Sequence, residues 1–430
     1  MTAQTAPKIA QTAQVKRTAV SAIIVIAGSM LSAALAAVAN WIAANGLGAA
    51  GFGVFSLAVA VMTVVQEIGG PALDTAIVRH AAPLVTKSPQ RAEAFFRAGI
   101  RLKWGISGTL AMALFLVADI VADAVFANRD LSPLIRWMAV CLLLANLSTS
   151  ALTRLQSSER FLAHSALRVL ANAVKVALLA GLLVAGALTP ESAAIAWTLS
   201  FLLSYVAGTL VCRRWRSVPL PAPEDRPLHE IARFAGWVML TGFLFAVHIR
   251  TDVLLLGYYG TAAEIGNYAV ASNMMLLMDL VTSSLVITML SKAAKARTAE
   301  QVTSLRKATS RMAIVISVAF LPLYIYAEPI LLLLFPGFPD AVPAFRILFW
   351  SSIIVLLVYP LYLGFYAQNR PSKVSASYGL LAITSIVLGV FLVPAYGLIG
   401  AATTTLVARI VGALAILLLL MLERREHARP

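Results

Sequence analysis

Twelve apolar runs, most of them long enough for one helical pass through a bilayer, divide this chain from end to end. A helix rises about 1.5 Å per residue, so a hydrocarbon layer of about 30 Å takes about 20 apolar residues. The runs cover approximately 18–42, 52–76, 104–126, 133–152, 165–187, 192–212, 234–257, 266–290, 311–334, 343–366, 374–393 and 397–421. In lipid every backbone N–H and C=O must be satisfied within its own segment, so runs of this kind form helices. The charge content agrees: 12% of the residues are charged, where soluble domains carry about 25%. The fold class is therefore all-α, a polytopic membrane protein. The first run is too long for a signal-peptide core and lacks a clear small-residue cleavage site, so it is read as a retained first helix. The longest connection, Arg213 to Arg233, is too short to fold as a soluble domain of its own.

Basic residues set the expected orientation. Of the 34 Lys and Arg, 28 fall in the two tails and the even-numbered loops. Only Arg129, Arg136 and Arg346 fall in the odd-numbered loops, and Lys175, Arg250 and Arg409 lie inside spans. Short cytoplasmic loops carry the excess of Lys and Arg, so both termini are expected in the cytoplasm. The net charge of +15 then reports topology and contact with anionic headgroups; nucleic acid is not an expected partner. Cys141 and Cys212 both lie in apolar runs, so no disulfide framework is expected.

The two halves of the chain echo each other. GVFSLA (Gly53 to Ala58) opens the second span and GNYAVA (Gly266 to Ala271) opens the eighth. Each is followed by one deep acid, Glu67 and Asp279, about 20 Å down its helix. This predicts about twelve transmembrane helices in two pseudo-symmetric six-helix lobes. The expected divisions are a cytoplasmic tail 1–17, a first lobe 18–212, a cytoplasmic linker 213–233, a second lobe 234–421 and a cytoplasmic tail 422–430.

Several stretches resemble a known family. GLGAAGFGVFSLAVAV (Gly46 to Val61), LTRLQSSERF (Leu152 to Phe161), EIGNYAVA (Glu264 to Ala271), LLFPGFPDAVPAFRIL (Leu333 to Leu348) and PAYGLIGAATTTL (Pro394 to Leu406) follow in the family's order. The chain thus resembles the Wzx-type lipid-linked oligosaccharide flippases of the multidrug/oligosaccharidyl-lipid/polysaccharide exporter superfamily. The resemblance implies two lobes around a central cavity and a multi-pass protein of the bacterial inner membrane. It also implies outward movement of an undecaprenyl-pyrophosphate-linked oligosaccharide, with membrane lipids and the polysaccharide polymerase machinery as further partners. An alternative within the superfamily is a cation-coupled drug antiporter. A membrane polysaccharide polymerase is less favoured, because the outer loops are short and nearly free of Lys and Arg.

The charged residues inside the spans are the candidate site, because an intramembrane charge is costly and faces a cavity or a partner. FAVHIRTDVLLLG (Phe245 to Gly257) places His248, Arg250 and Asp252 at alternate positions. His248 and Asp252, four apart, share a helix face, and Arg250 points away from them. Arg250 offers a planar fork of donors to a diphosphate or an acidic sugar. It could equally form a structural pair with Asp252 or reach the headgroups. Lys175 and Arg409 are cavity cations or partners of deep acids, with Glu67 a candidate partner of Lys175. Glu67 and Asp279 are either coupling carboxylates for H⁺ or Na⁺ or salt-bridge partners. Asp74 and Arg79 suggest an ion pair near the cytoplasmic end of the second helix. No Gly-rich phosphate loop, nucleophile elbow or His/Cys metal spacing occurs. No catalytic residue, metal or cofactor is expected; the chain reads as a transporter, not an enzyme.

Overall fold

The computed structural model describes residues 5–213, 227–275, 278, 281–282, 289, 299–367 and 371–427. Every regular element among them is helical. In chain order these are α1 Thr5–Gly69, α2 Pro71–Ala81, α3 Pro89–Leu116, the short turn α4 Ala118–Ile120, α5 Leu131–Ser157, α6 Phe161–Val184 and α7 Pro190–Val211. The second half has α8 Pro227–Tyr259, α9 Ala262–Met274, α10 Ala299–Ile325, α11 Ala327–Leu334, α12 Ala341–Ala367 and α13 Pro371–His427.

Eight helices among the described residues are long and apolar enough to cross a membrane, or nine when a bent pair is counted as one span. Two of these stretches, of 62 and 46 residues, are each long enough for two crossings. The eighth expected span, 266–290, is described mainly through α9. Gly48 (φ 67°, ψ 178°) breaks α1 and Gly397 (φ 52°, ψ −129°) breaks α13, each between two expected spans. Positive φ is open to glycine because it has no Cβ to clash with the backbone.

The helices overrun the apolar runs. α1 begins at Thr5 and α8 at Pro227, so much of the expected tail 1–17 and the end of the expected linker 213–233 are helical. The reason is that hydropathy marks what lipid covers, whereas Ala, Gln, Lys and Arg keep a helix going beyond it. Linker residues 214–226 lie outside the described set. The third span also differs: α3 starts at Pro89, and the chain bends by 54° before the π-helical turn Val121–Val125. The second breaks at Gly70, where a Cβ would stand 2.2 Å from Asn146 Oδ1. Asn146 donates to Ser107 (3.0 Å), and Ser107 donates to the Gly69 carbonyl (3.3 Å), which pins this break.

Each half packs on itself: α1 on α6, α3 and α7 on α5, then α8 and α12 on α13, α10 on α12. The halves meet where α1 crosses α8 and α9 and where α2 and α3 contact α8. At the α1–α9 crossing, a Cβ on Gly53 would stand 1.7 Å from the Ala262 carbonyl oxygen, and one on Gly266 1.9 Å from that of Ala49. The two glycines of the internal repeat are therefore the two sides of one close crossing, the small-residue packing that membrane helices use.

Four of the five stretches that carry the family resemblance, Gly46 to Val61, Glu264 to Ala271, Leu333 to Leu348 and Pro394 to Leu406, meet near this crossing. Phe52 packs edge-on against Phe338, 6.2 Å between ring centres. Trp41 Nε1 (2.8 Å) and Asn45 Nδ2 (3.0 Å) donate to the Leu334 carbonyl. The Glu264 carboxylate caps α9 by accepting from the Thr261 backbone N–H (2.8 Å) and lies where a Cβ on Gly397 would fall. A second buried cluster, around Leu73, Ile77, Phe95, Phe96 and Ile231, seals the first half against the start of α8.

Candidate functional site

The alternating polar residues of α8 look in two directions. His248 and Asp252 turn into the second half. His248 Nδ1 lies 2.8 Å from Ser385 Oγ on α13. The Asp252 carboxylate accepts from the Tyr268 hydroxyl of α9, from Thr405 Oγ1 of α13 (3.2 Å) and from the Val253 backbone N–H (2.7 Å). Asp252 is 8% exposed, and no ion pair reaches it among the described residues. Three donors thus hold this buried carboxylate, and no ion pair bonds it among the described residues. Arg409 lies beside the same cluster, with Nη1 3.4 Å from Ser352 Oγ of α12 and with His248 and Tyr268 in electrostatic reach.

Arg250 faces the other way. It is half-buried, and its Nε is enclosed without a hydrogen-bond partner among the described residues. Its electrostatic neighbours are Asp252, Tyr268 and, across the boundary between the halves, Glu67 of α1. Among the described residues no ion pair closes within 4 Å on Glu67 or Asp252, and Arg250 has no bonded acid there. Glu67 stands where α1 breaks into α2, its Oε2 3.3 Å from the place of a Cβ on Gly242 of α8. Near the same boundary Asn40 Nδ2 donates to Asn273 Oδ1 (3.3 Å). Glu67 and Arg250, from opposite halves, are therefore in each other's field, and His80 Nδ1 lies 3.7 Å from Glu230 Oε2 where α2 meets α8.

Other sequence candidates lie elsewhere. Lys175 is inside the first half, with Nζ 3.9 Å from the centre of the Trp197 ring and 5.1 Å from that of Phe201. Stacking over aromatic faces replaces the expected pairing with Glu67 and stabilises a desolvated cation by about 2 kcal/mol. Asp74 is engaged by Lys103 rather than Arg79: Lys103 Nζ is 2.6 Å from Oδ1, and Thr149 and Thr153 donate to the same carboxylate at 2.7 Å each. The basic-residue reading placed Lys103 in a loop, but it is 0% exposed inside α3. Arg91, Arg97 and Arg101 share α3 with it, since the helix extends well beyond the apolar run, but Lys103 is the one of these four that is fully buried. Asp279 lies outside the described residues.

Sequence reasoning missed Lys103, Tyr268 and Thr405. Lys103 had a signal, the apolar stretch GIRLKWGI that encloses it. Tyr268 and Thr405 lie in stretches the repeat and the resemblance singled out, but nothing marked their hydroxyls as partners of Asp252, since a hydroxyl costs little in a membrane helix. Among the described residues, no group of His, Cys, Asp and Glu could hold a metal ion.

The model of a family described as polysaccharide biosynthesis protein matches residues 46–336 of the 430. No curated protein sequence matches the chain significantly. Among solved structures it is similar to the lipid II flippase MurJ in an inward closed conformation, with 15% identity, 93% of this chain and 87% of that one covered, and a TM-score of 0.76. It is similar to an inward-facing multidrug resistance MATE family transporter of the MOP superfamily (14% identity, 93% and 96%, TM-score 0.74). A third is a MOP superfamily transporter from Pyrococcus furiosus, described by a binding pocket of reverse polarity (14%, 92% and 92%, TM-score 0.67). At such identities the likeness is one of fold.

Proposed function

This chain belongs to the polysaccharide biosynthesis protein family, and we propose that it flips a polyprenyl-diphosphate-linked oligosaccharide across the bacterial inner membrane by alternating access. Its fold is that of MOP-superfamily flippases and transporters. The observation that carries the substrate class is Arg250, a guanidinium inside a membrane helix, at the boundary between the halves, with an enclosed Nε that has no hydrogen-bond partner among the described residues. A diphosphate supplies what that group lacks, a delocalised anion with several acceptor oxygens. Glu67 lies in the field of Arg250 across the boundary; an arriving diphosphate takes over its role and releases the two halves from their mutual attraction. Sugars occupy the polar space between the lobes while the polyprenyl chain stays in lipid. Rocking about the close Gly53–Gly266 crossing then exposes the boundary to one side at a time.

Coupling is assigned to Asp252. A carboxylate held by two hydroxyls and a backbone N–H, without a bonded cation, responds to H⁺ or Na⁺. The drug-antiporter alternative keeps one favouring observation, this same acid in the second lobe. Against it stands the first part of α1, which carries no ionisable residue from Thr18 to Ile42, while the charge at the boundary includes a cation.

The test is made in cells depleted of the chromosomal copy. Depletion should cause polyprenyl-linked oligosaccharide to accumulate on the cytoplasmic side. Plasmid-borne wild type should clear it, Arg250→Lys should clear it in part, and Arg250→Ala should not, at equal membrane levels. Clearance by Arg250→Ala at the wild-type rate overturns the substrate assignment.

A further inference from the structure

A cleft of about 400 Å³ opens on the outside of the first half, between α3, α5 and α7, away from the boundary that holds Arg250. Its chemistry differs from the surfaces beside it. Arg97, Arg101 and Arg154 face it against a single acid, Glu93. Glu93 is spent internally: its two carboxylate oxygens accept from Arg97 Nε (2.8 Å) and Arg154 Nη2 (2.7 Å). Among the described lining residues, Arg97 and Arg154 are both held by Glu93. Arg101 adds a positive charge to the cleft, since it is exposed and has no acidic partner among the described residues. Deeper in, Ser150 is nine-tenths buried and its Oγ has no hydrogen-bond partner among the described residues. Buried hydroxyls normally find one, so an acceptor from outside the described residues suits this position.

The setting identifies the source of that acceptor. Trp104 and Tyr205 stand at the cleft edge, 6.3 Å between ring centres, as aromatic residues do at the boundary of headgroups and hydrocarbon. Below them α7 exposes Leu199, Leu203, Val206 and Leu210, the face that acyl chains cover. The basic-residue bias assigns this end to the cytoplasmic leaflet, where anionic lipids attract Lys and Arg. A free phosphate in water would need no such apolar apron.

We propose that this cleft binds the phosphodiester headgroup of an anionic phospholipid. Arg101 meets the phosphate as a planar fork, Ser150 donates from below, and Trp104 and Tyr205 flank the glycerol region. A volume of about 400 Å³ is within the range of small-ligand sites, about 300–1,000 Å³. The site is separate from transport, so its failure would leave the proposed function untouched.

The experiment uses the full chain in detergent and follows its thermal unfolding midpoint. Phosphatidylglycerol should raise Tm by several degrees by binding the folded state, and phosphatidylcholine should not. Soluble glycerol phosphate should give little, since it lacks the acyl chains. Arg101→Gln and Ser150→Ala should unfold at the lipid-free wild-type temperature yet each lose at least half of the phosphatidylglycerol shift; Arg101→Lys should keep part of it. Equal shifts from phosphatidylglycerol and phosphatidylcholine overturn the proposal. So does a full shift in Arg101→Gln, or a glycerol phosphate shift matching that of the lipid, which would assign the cleft to a free phosphate.

Discussion

Lys103 shows how a single residue can hold a membrane helix break in place. It is fully buried and its ammonium meets Asp74, which also receives Thr149 and Thr153. Removing one partner strands the other charge, so Lys103→Met and Asp74→Asn should each lower stability by about 3–5 kcal/mol, seen as loss of folded yield and of Tm. The double change Asp74→Asn with Lys103→Met should recover most of it; a double variant as unstable as the sum of the singles would contradict the pairing. Asp252 behaves differently. Tyr268, Thr405 and Val253 hold it, so Tyr268→Phe should cost about 1–3 kcal/mol by leaving a buried acceptor short of a donor. For the same reason Asp252→Asn should not rescue Arg250→Ala. The polar alternation of His248, Arg250 and Asp252 is legible in the sequence because charge inside an apolar run is conspicuous. Their partners are not, because Ser385 and Thr405 lie 137 and 153 residues away and hydroxyls leave no hydropathy signal.

At the scale of elements, the close crossing of α1 and α9 sets how the two halves meet. A Cβ at either glycine would fall under 2 Å from a backbone carbonyl oxygen, and backbone cannot move aside as a side-chain tip can. Gly53→Ala and Gly266→Ala should therefore push the helices apart, at about 1–3 kcal/mol each. The change is readable with an impermeant maleimide on a cysteine placed at Ala49, because Cys141 and Cys212 are buried. Labelling from outside should rise in either glycine variant, and unchanged labelling with unchanged Tm would rule out the crossing. Hydropathy located the helices well, since apolar runs report lipid contact. It misjudged where α1, α3 and α8 begin, since helical backbone continues wherever Ala, Gln, Arg and Lys favour it. The repeat of Gly53 in Gly266 was visible, but its physical meaning as mutual contact needed the structure.

For the whole molecule, the two halves meet at a boundary where Arg250 and Glu67 lie in each other's field, and the basic residues give an expected direction. Reporter fusions after Glu191 and after Arg429 should land on opposite sides of the membrane, the second in the cytoplasm; both outside would reverse the orientation. The fold was legible because lipid restricts a spanning chain to helices, and the family order of five stretches narrowed it further. The site was legible only as a set of misplaced charges, since sequence cannot say which of Lys175, Arg250 and Arg409 reaches the boundary. Lys175 is enclosed under Trp197 and Arg409 sits beside Ser352, whereas Arg250 is in the field of the opposite half. The central claim is tested most directly in liposomes holding the purified protein and a fluorescent polyprenyl-diphosphate-linked sugar, with outer-leaflet fluorescence quenched by dithionite. Wild type should make the protected inner-leaflet pool accessible, and Arg250→Ala should leave it protected as in protein-free liposomes. Equal loss of protection with wild type and Arg250→Ala, or none with folded wild type, would contradict the account.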